Sequence, residues 1–125
     1  MSNDEVHAYL DSRPGWMQFT TVGADGYPHT VPIGYFRMGD AVYTGGRANT
    51  QRAHNIARNP RVSALFESGG SMEDIKGVLV QGDAEMVTEP AAVLELMREA
   101  ARQRGVAADE LPQEAREDAT YIRIK

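Results

Sequence analysis

Residues 16–36, WMQFTTVGADGYPHTVPIGYF, decide how this 125-residue chain folds. The run from Trp16 to Val22 is rich in aromatic, Thr and Val residues, and Met17, Phe19 and Thr21 fall on one face, so it reads as a strand. Ala24-Asp25-Gly26 forms a hairpin turn, because Asp-Gly tolerates positive φ. The strand that follows places Tyr27, His29, Val31, Ile33 and Tyr35 on one side, with Pro28, Thr30, Pro32, Gly34 and Phe36 on the other. Pro28 and Pro32 cannot donate to a ladder, so part of this strand's edge stays open. An open edge beside Gly34 admits a ligand close to the backbone, and a plain edge strand accounts for the prolines equally well.

Working outward, Met38-Gly39-Asp40 turns the chain and Ala41–Gly45 returns as a short strand, which makes a three-strand meander. Asn49 or Thr50 caps a helix from Gln51 to Arg58, with Ala53, Ile56 and Ala57 facing inward and Asn59-Pro60 stopping it. Arg61–Glu67 alternates as a fourth strand, and Lys76–Val87 is a long fifth strand in which Gly82 marks a bulge or bend. Glu89-Pro90 opens an amphipathic helix that runs to Arg104, with Gly105 just past its end. Thr120–Ile124 is the sixth strand. At the N-terminus, Asn3 caps a helix over residues 3–11 that Arg13-Pro14-Gly15 ends.

Six short strands linked mostly by tight turns predict a mainly β fold, an antiparallel barrel or sandwich whose few helices plug ends or cover an edge. A barrel this small fills its own interior, so a large ligand must sit on its outer surface, shared with a second subunit. One domain over 1–125 is expected, with 42% hydrophobic residues to build its core. No apolar run is long enough to cross a membrane, and the first fifteen residues carry charges where a signal peptide is apolar, so a cytoplasmic location with no membrane partner is expected. With no cysteine, disulfides and thiolate chemistry are excluded.

The net charge of −5 argues against a nucleic-acid partner. Its distribution is uneven: residues 27–66 hold Arg37, Arg47, Arg52, Arg58 and Arg61 against Asp40 alone, a net +4, which leaves −9 on the other 85 residues. This asymmetry suggests a site for a compact anion, and a solvated basic face is the plainer alternative. His7, His29 and His54 lie on separate elements without metal-ligand spacing, and no Ser stands in G-x-S-x-G, so neither a zinc site nor a nucleophile elbow is indicated. The turn after the third strand remains. A helix starting at Gln51 exposes first-turn amides, Thr50 adds a hydroxyl, Arg47 and Arg52 add charge, and Gly45 and Gly46 leave room for a ring against the main chain.

The segments TTVGADGYPHTVPIGYF (20–36), YTGGRANTQRAHNIARNPRVSALFESG (43–69) and GVLVQGDAEMV (77–87) resemble, in order and spacing, the pyridoxamine-phosphate-oxidase-like split-barrel family that binds flavins and deazaflavins. The likeness spans roughly residues 4–124 and is strongest to the compact deazaflavin-dependent reductase branch. It implies a six-stranded antiparallel split β-barrel that forms a homodimer, with a cofactor in each groove between subunits. It implies phosphate on Thr50, Gln51 and Arg52 with Asn55 nearby. The ring would lie along His29, Thr30, Val31, Pro32 and Ile33 and along Tyr43, Thr44, Gly45 and Gly46, with Gln81 reaching across from the second copy. Where the family carries Ser-x-Lys this chain has Thr50-Gln51-Arg52, which keeps the charge and leaves the cofactor's identity open.

The implied activity is hydride transfer from a reduced deazaflavin, coenzyme F-420, to a small conjugated organic substrate. An FMN-binding oxidase or reductase is the first alternative, and a non-catalytic flavin or haem binding module is the second. Because such a cofactor carries the chemistry, no protein nucleophile is required, and the catalytic residues stay unassigned. Solvent, His29, Tyr35 and Tyr27 are all open as sources of a proton.

Overall fold

The computed structural model describes residues 2–13, 15–116 and 118–125. Seven strands form one antiparallel sheet: β1 (Met17–Val22), β2 (Pro28–Ile33), β3 (Phe36–Met38), β4 (Ala41–Arg47), β5 (Arg61–Ser68), β6 (Lys76–Val87) and β7 (Ala119–Ile124). Three helices accompany them, α1 (Asn3–Asp11), α2 (Gln51–Arg58) and α3 (Pro90–Gln103), together with a 3₁₀ turn at Ala108–Glu110.

The order across the sheet is β2-β1-β5-β6-β7-β4-β3, so the two edge strands are neighbours along the chain, joined only through Gly34 and Tyr35. Ile33 and Phe36 are three Cα steps apart, about 11 Å at most. Seven strands laid flat would span roughly 29 Å, so the sheet has to roll until its edges meet. Thr44 clasps that junction by donating its hydroxyl to the Gly34 carbonyl at 2.8 Å.

The predicted third-strand meander is thereby corrected. The segment expected as one strand from Tyr27 to Phe36 keeps its alternation and changes its ladder partner: β2 pairs with β1, and β3 pairs with β4. Six predicted strands become seven for this reason. The Asp25-Gly26 hairpin forms as expected, with Gly26 at φ 85° and its amide bonded to the Gly23 carbonyl.

A second partner change closes the other side. β6 pairs with β5 through Asp83 and with β7 from Ala84 onward, and Gly82 stands at the switch. A side chain at Gly82 would collide with the backbone carbonyl of Lys125, so glycine lets the C-terminal end of β7 cross there.

Inward-facing Met17, Phe19, Val42, Val62, Ala64, Phe66, Ile122 and Ile124 fill the barrel, and Tyr35 meets Phe66 edge to face at 4.7 Å. Leu10 of α1 and Ile56 of α2 also join this core. A second core lies outside the barrel, where α3 sets Val93, Leu96 and Ala100 on Phe36, Tyr43 and Tyr121. Phe36 and Tyr43 stack there at 5.3 Å.

Two helix details differ from expectation. Ser2, not Asn3, caps α1, because its hydroxyl accepts from the Glu5 amide while the Glu5 carboxylate accepts from the Ser2 amide. The helix ends at Asp11; Pro14, expected to help stop it, lies outside the described residues. In α2 the buried residues are Ala53, Asn55 and Ile56, whereas Ala57 is exposed. Asp11 fastens α1 to β3 through a two-pronged contact with Arg37, at 2.9 Å to Nε and 2.7 Å to Nη2.

Gly82→Val should lower the midpoint of thermal unfolding by several degrees, since overpacking costs about 1–3 kcal/mol. Gly70→Ala, where a new methyl meets nothing within 4 Å, should leave that midpoint unchanged. The hydrogen bond from Arg37 holds the Asp11 carboxyl below its ordinary 3.8. The pair therefore stabilises the fold at neutral pH, and its contribution fades as the pH falls below that value. Thermal unfolding across a pH series should show Asp11→Asn destabilised at pH ~7, with the gap closing in acid.

Candidate functional site

β2 is an edge strand, and its free side faces a seam in the rolled sheet. At one end of the seam the α2 N-terminus, Gln51 and Asn55 meet His29 and the β1–β2 turn around a cleft of about 500 Å³, with Asp25 on its rim. At the other end Ile33, Gly34, Thr44 and Gly45 line a larger cleft of about 650 Å³. Five residue steps along extended chain take His29 to Gly34, just past the end of β2, so the two ends lie roughly 16 Å apart.

The N-terminus of α2 is built to receive negative charge. Thr50 caps it by accepting from the Ala53 amide at 3.2 Å, which leaves the Gln51 and Arg52 amides without an intrahelical acceptor. No acid occupies the first turn, whereas α1 carries Asp4 and Glu5 there. Arg52 lies back over Gly46, where a Cβ would stand 2.9 Å from Nη2, and its Nε is buried without a partner. A buried guanidinium nitrogen left unpaired is costly, and an oxyanion would satisfy it. His29 Nδ1 is likewise buried and unpaired.

Asn55 organises this corner. Fully buried, it donates to Thr21 at 2.9 Å and accepts from Gln51 at 2.8 Å and from Arg58 at 2.9 Å. One amide thus ties α2 to β1 and orients Gln51 toward the seam.

The expected site residues divide into three groups. His29, Gln51 and Asn55 share the smaller cleft, and Ile33, Thr44 and Gly45 share the larger one. Thr50, Arg52 and Gly46 sit together beside the helix start. On β2, Thr30 and Pro32 face outward while Val31 and Ile33 turn toward the core. Gln81 is exposed on β6 opposite Ser63 and lines neither cleft.

Several expected roles are revised. A Cβ at Gly45 would press on the Tyr121 ring and one at Gly46 on the Arg52 guanidinium, so both positions are tight for a side chain, while Gly45 itself stays exposed. The Thr44 hydroxyl is committed to Gly34. The basic stretch does not form one patch: Arg37 pairs with Asp11, Arg47 with Asp118 at 3.6 Å, and Arg58 bonds Asn55. Arg52 and Arg61 enter no ion pair among the described residues, and of the two Arg52 is the one at the α2 start. Tyr35 turns its hydroxyl to the Leu10 carbonyl at 3.3 Å, and burial pushes its phenol up to about 12, so it is not a ready proton source. Trp16, Arg13, Arg104 and Tyr121 line the larger cleft without having been singled out, since no local pattern links positions so far apart in the chain.

The family model described as pyridoxamine 5'-phosphate oxidase matches residues 2–125. The chain belongs to that family. Among solved structures it is similar to a conserved hypothetical protein of Mycobacterium tuberculosis, with 28% identity and a TM-score of 0.87 over 100% of this chain and 80% of that one. An F-420 reductase shares the fold at 20% identity and a TM-score of 0.72, over 95% of this chain and 90% of that one. The haem storage protein HutZ of Vibrio cholerae does so at 20% identity and a TM-score of 0.71, over 98% and 88%. Comparison with curated proteins found no match. The split-barrel fold read in the sequence is thus established, and no helix among the described residues is long and apolar enough to cross a membrane.

Arg52→Glu should abolish binding of phosphate-bearing flavins in a fluorescence titration while leaving ligand-free thermal unfolding nearly unchanged. Unaltered affinity would remove Arg52 from the cradle.

Proposed function

We propose that this member of the pyridoxamine 5'-phosphate oxidase family is an oxidoreductase that holds a reduced deazaflavin of the coenzyme F-420 type along the seam. It passes hydride from that cofactor to a small conjugated organic substrate. The observation that carries the reading is the unpaired, buried Nε of Arg52 beside two free helix amides.

In this reading Arg52 and the amides of Gln51 and Arg52 hold the phosphate, with Thr50 and Asn55 fixing the helix start from which they point. The outward side of β2, where Thr30 and Pro32 are exposed and the open edge offers backbone groups, would receive the ring. When bound, the reduced ring supplies the hydride. His29, whose Nδ1 has no protein partner, is the residue of this chain best placed to pass a proton.

A second copy of the chain completes the groove in a homodimer. Its place is the uncovered outer face of β1, β5 and β6, where Leu65 and Leu79 stand opposite each other in register and are 41% and 59% exposed. Gln81 lies on that same face, which suits a residue that reaches the groove of a partner. A cytoplasmic location accords with this use of a diffusible cofactor.

FMN is the second reading, because the same helix start and Arg52 would suit the phosphate on its side chain. A non-catalytic binding module on this barrel is the third, and the likeness to a haem storage protein is its support.

Parallel titrations with the F-420 deazaflavin, FMN and FAD test the assignment. The deazaflavin should bind most tightly and, once reduced, be consumed by a conjugated acceptor. FMN binding alone, with a yellow purified protein, would select the FMN reading. Failure of all three would sink the redox assignment.

A further inference from the structure

The larger cleft has a chemistry that the cradle does not explain. It is bounded by the Trp16 indole and the Tyr121 ring, and Gly34 and Gly45 contribute to its lining. Arg13 and Arg104 stand on its rim, and no Asp or Glu among the described residues lines it. Neither arginine enters an ion pair among the described residues, in a chain of net charge −5. The Arg13 guanidinium donates to Gln103 Oε1 at 3.0 Å, so it is held beside the end of α3, where Arg104 is the capping residue.

Arg13 also occupies a position where glycine would be at ease. Its φ is 52°, and no other described non-glycine residue has a positive φ. It follows the end of α1 directly, the point at which helices commonly close with glycine in this conformation. An arginine there gains nothing for the backbone, so the side chain is what the position supplies.

Flat aromatic walls, an acid-free rim and two guanidinium groups together select a flat anion. A carboxylate on a conjugated or aromatic body matches this set: the body lies against Trp16 and Tyr121, and the carboxylate receives the forked donors of arginine. Burial raises the Tyr121 phenol, so it stays protonated at neutral pH and adds a donor to the same wall.

We propose that this cleft binds planar conjugated carboxylic acids through Arg13 and Arg104. Such acids are then the substrate class of the seam. The identification of the bound acid as a substrate rests on the redox reading above; the binding depends on the cleft alone. The cleft lies at the Gly34 end of β2, whereas His29, Gln51 and Asn55 line the smaller cleft at the other end.

Trp16 is the only tryptophan of the chain, 67% exposed, and its emission reports on the cleft. The full chain, without cofactor, is titrated with trans-cinnamate and with cinnamamide, which has the same shape without the charge. Cinnamate should change the Trp16 emission saturably, and cinnamamide should bind about tenfold or more weakly. Arg104→Gln should weaken cinnamate to a similar degree. Arg13→Gly should do so while keeping or raising the thermal midpoint, because glycine relaxes the positive φ. An unsaturable response to cinnamate, equal affinity for acid and amide, or unaltered cinnamate affinity in Arg104→Gln would each overturn the proposal. Cinnamate binding that persists while every flavin titration fails would retain the acid site and remove the redox reading.

Discussion

The bridge of Gly34 and Tyr35 constrains everything else in this structure. It joins the two outermost strands of a seven-stranded sheet through a link too short to cross a flat one, so the sheet rolls and its edges meet. The Thr44 hydroxyl on the Gly34 carbonyl holds that meeting point, and Tyr35 and Phe36 anchor it on both sides, one in the barrel core and the other under α3. Because the two edges are joined at one point only, the free side of β2 stays unpaired along most of its length. The seam is therefore a by-product of closure: the segment that has to change ladder partners cannot also complete its ladder.

The helices complete this arrangement with different tasks. α3 covers the outside of β3, β4 and β7, while α2 sends Ile56 into the barrel core and presents its own start to the seam. Asn55 makes α2 a rigid part of the site, since its amide is shared among Thr21, Gln51 and Arg58. A buried amide with several partners is stabilising only when all of them are present, which sets the first turn of the helix in one orientation. Arg52 then faces Gly46 with its Nε unpaired, a small cost to the isolated chain that a bound anion would offset.

Much of this was legible in the chain. The strands over Arg61–Ser68 and Lys76–Val87 and the helix over Gln51–Arg58 with its Thr50 cap follow from alternation and capping chemistry, which act within a few residues. The helix start on which the proposed cradle rests was legible for the same reason, because a cap and its flanking residues are local. The concentration of arginines was less reliable. It counted Arg37, Arg47 and Arg58 toward one patch, whereas each is drawn off by a partner that the fold brings from elsewhere: Asp11, Asp118 and Asn55.

What the sequence by itself determined is the set of elements, the hairpin turns, the family and the capped start of α2. Tertiary structure alone decided that one apparent strand serves two ladders, that Gly45 and Gly46 make room for Tyr121 and Arg52, and that Arg13, Trp16, Arg104 and Tyr121 share a cleft. The physical reason is range. Turns, caps and periodicity are set by neighbours along the chain, while ladder partners, ion pairs and clefts are set by which distant segments the closing of the barrel brings side by side.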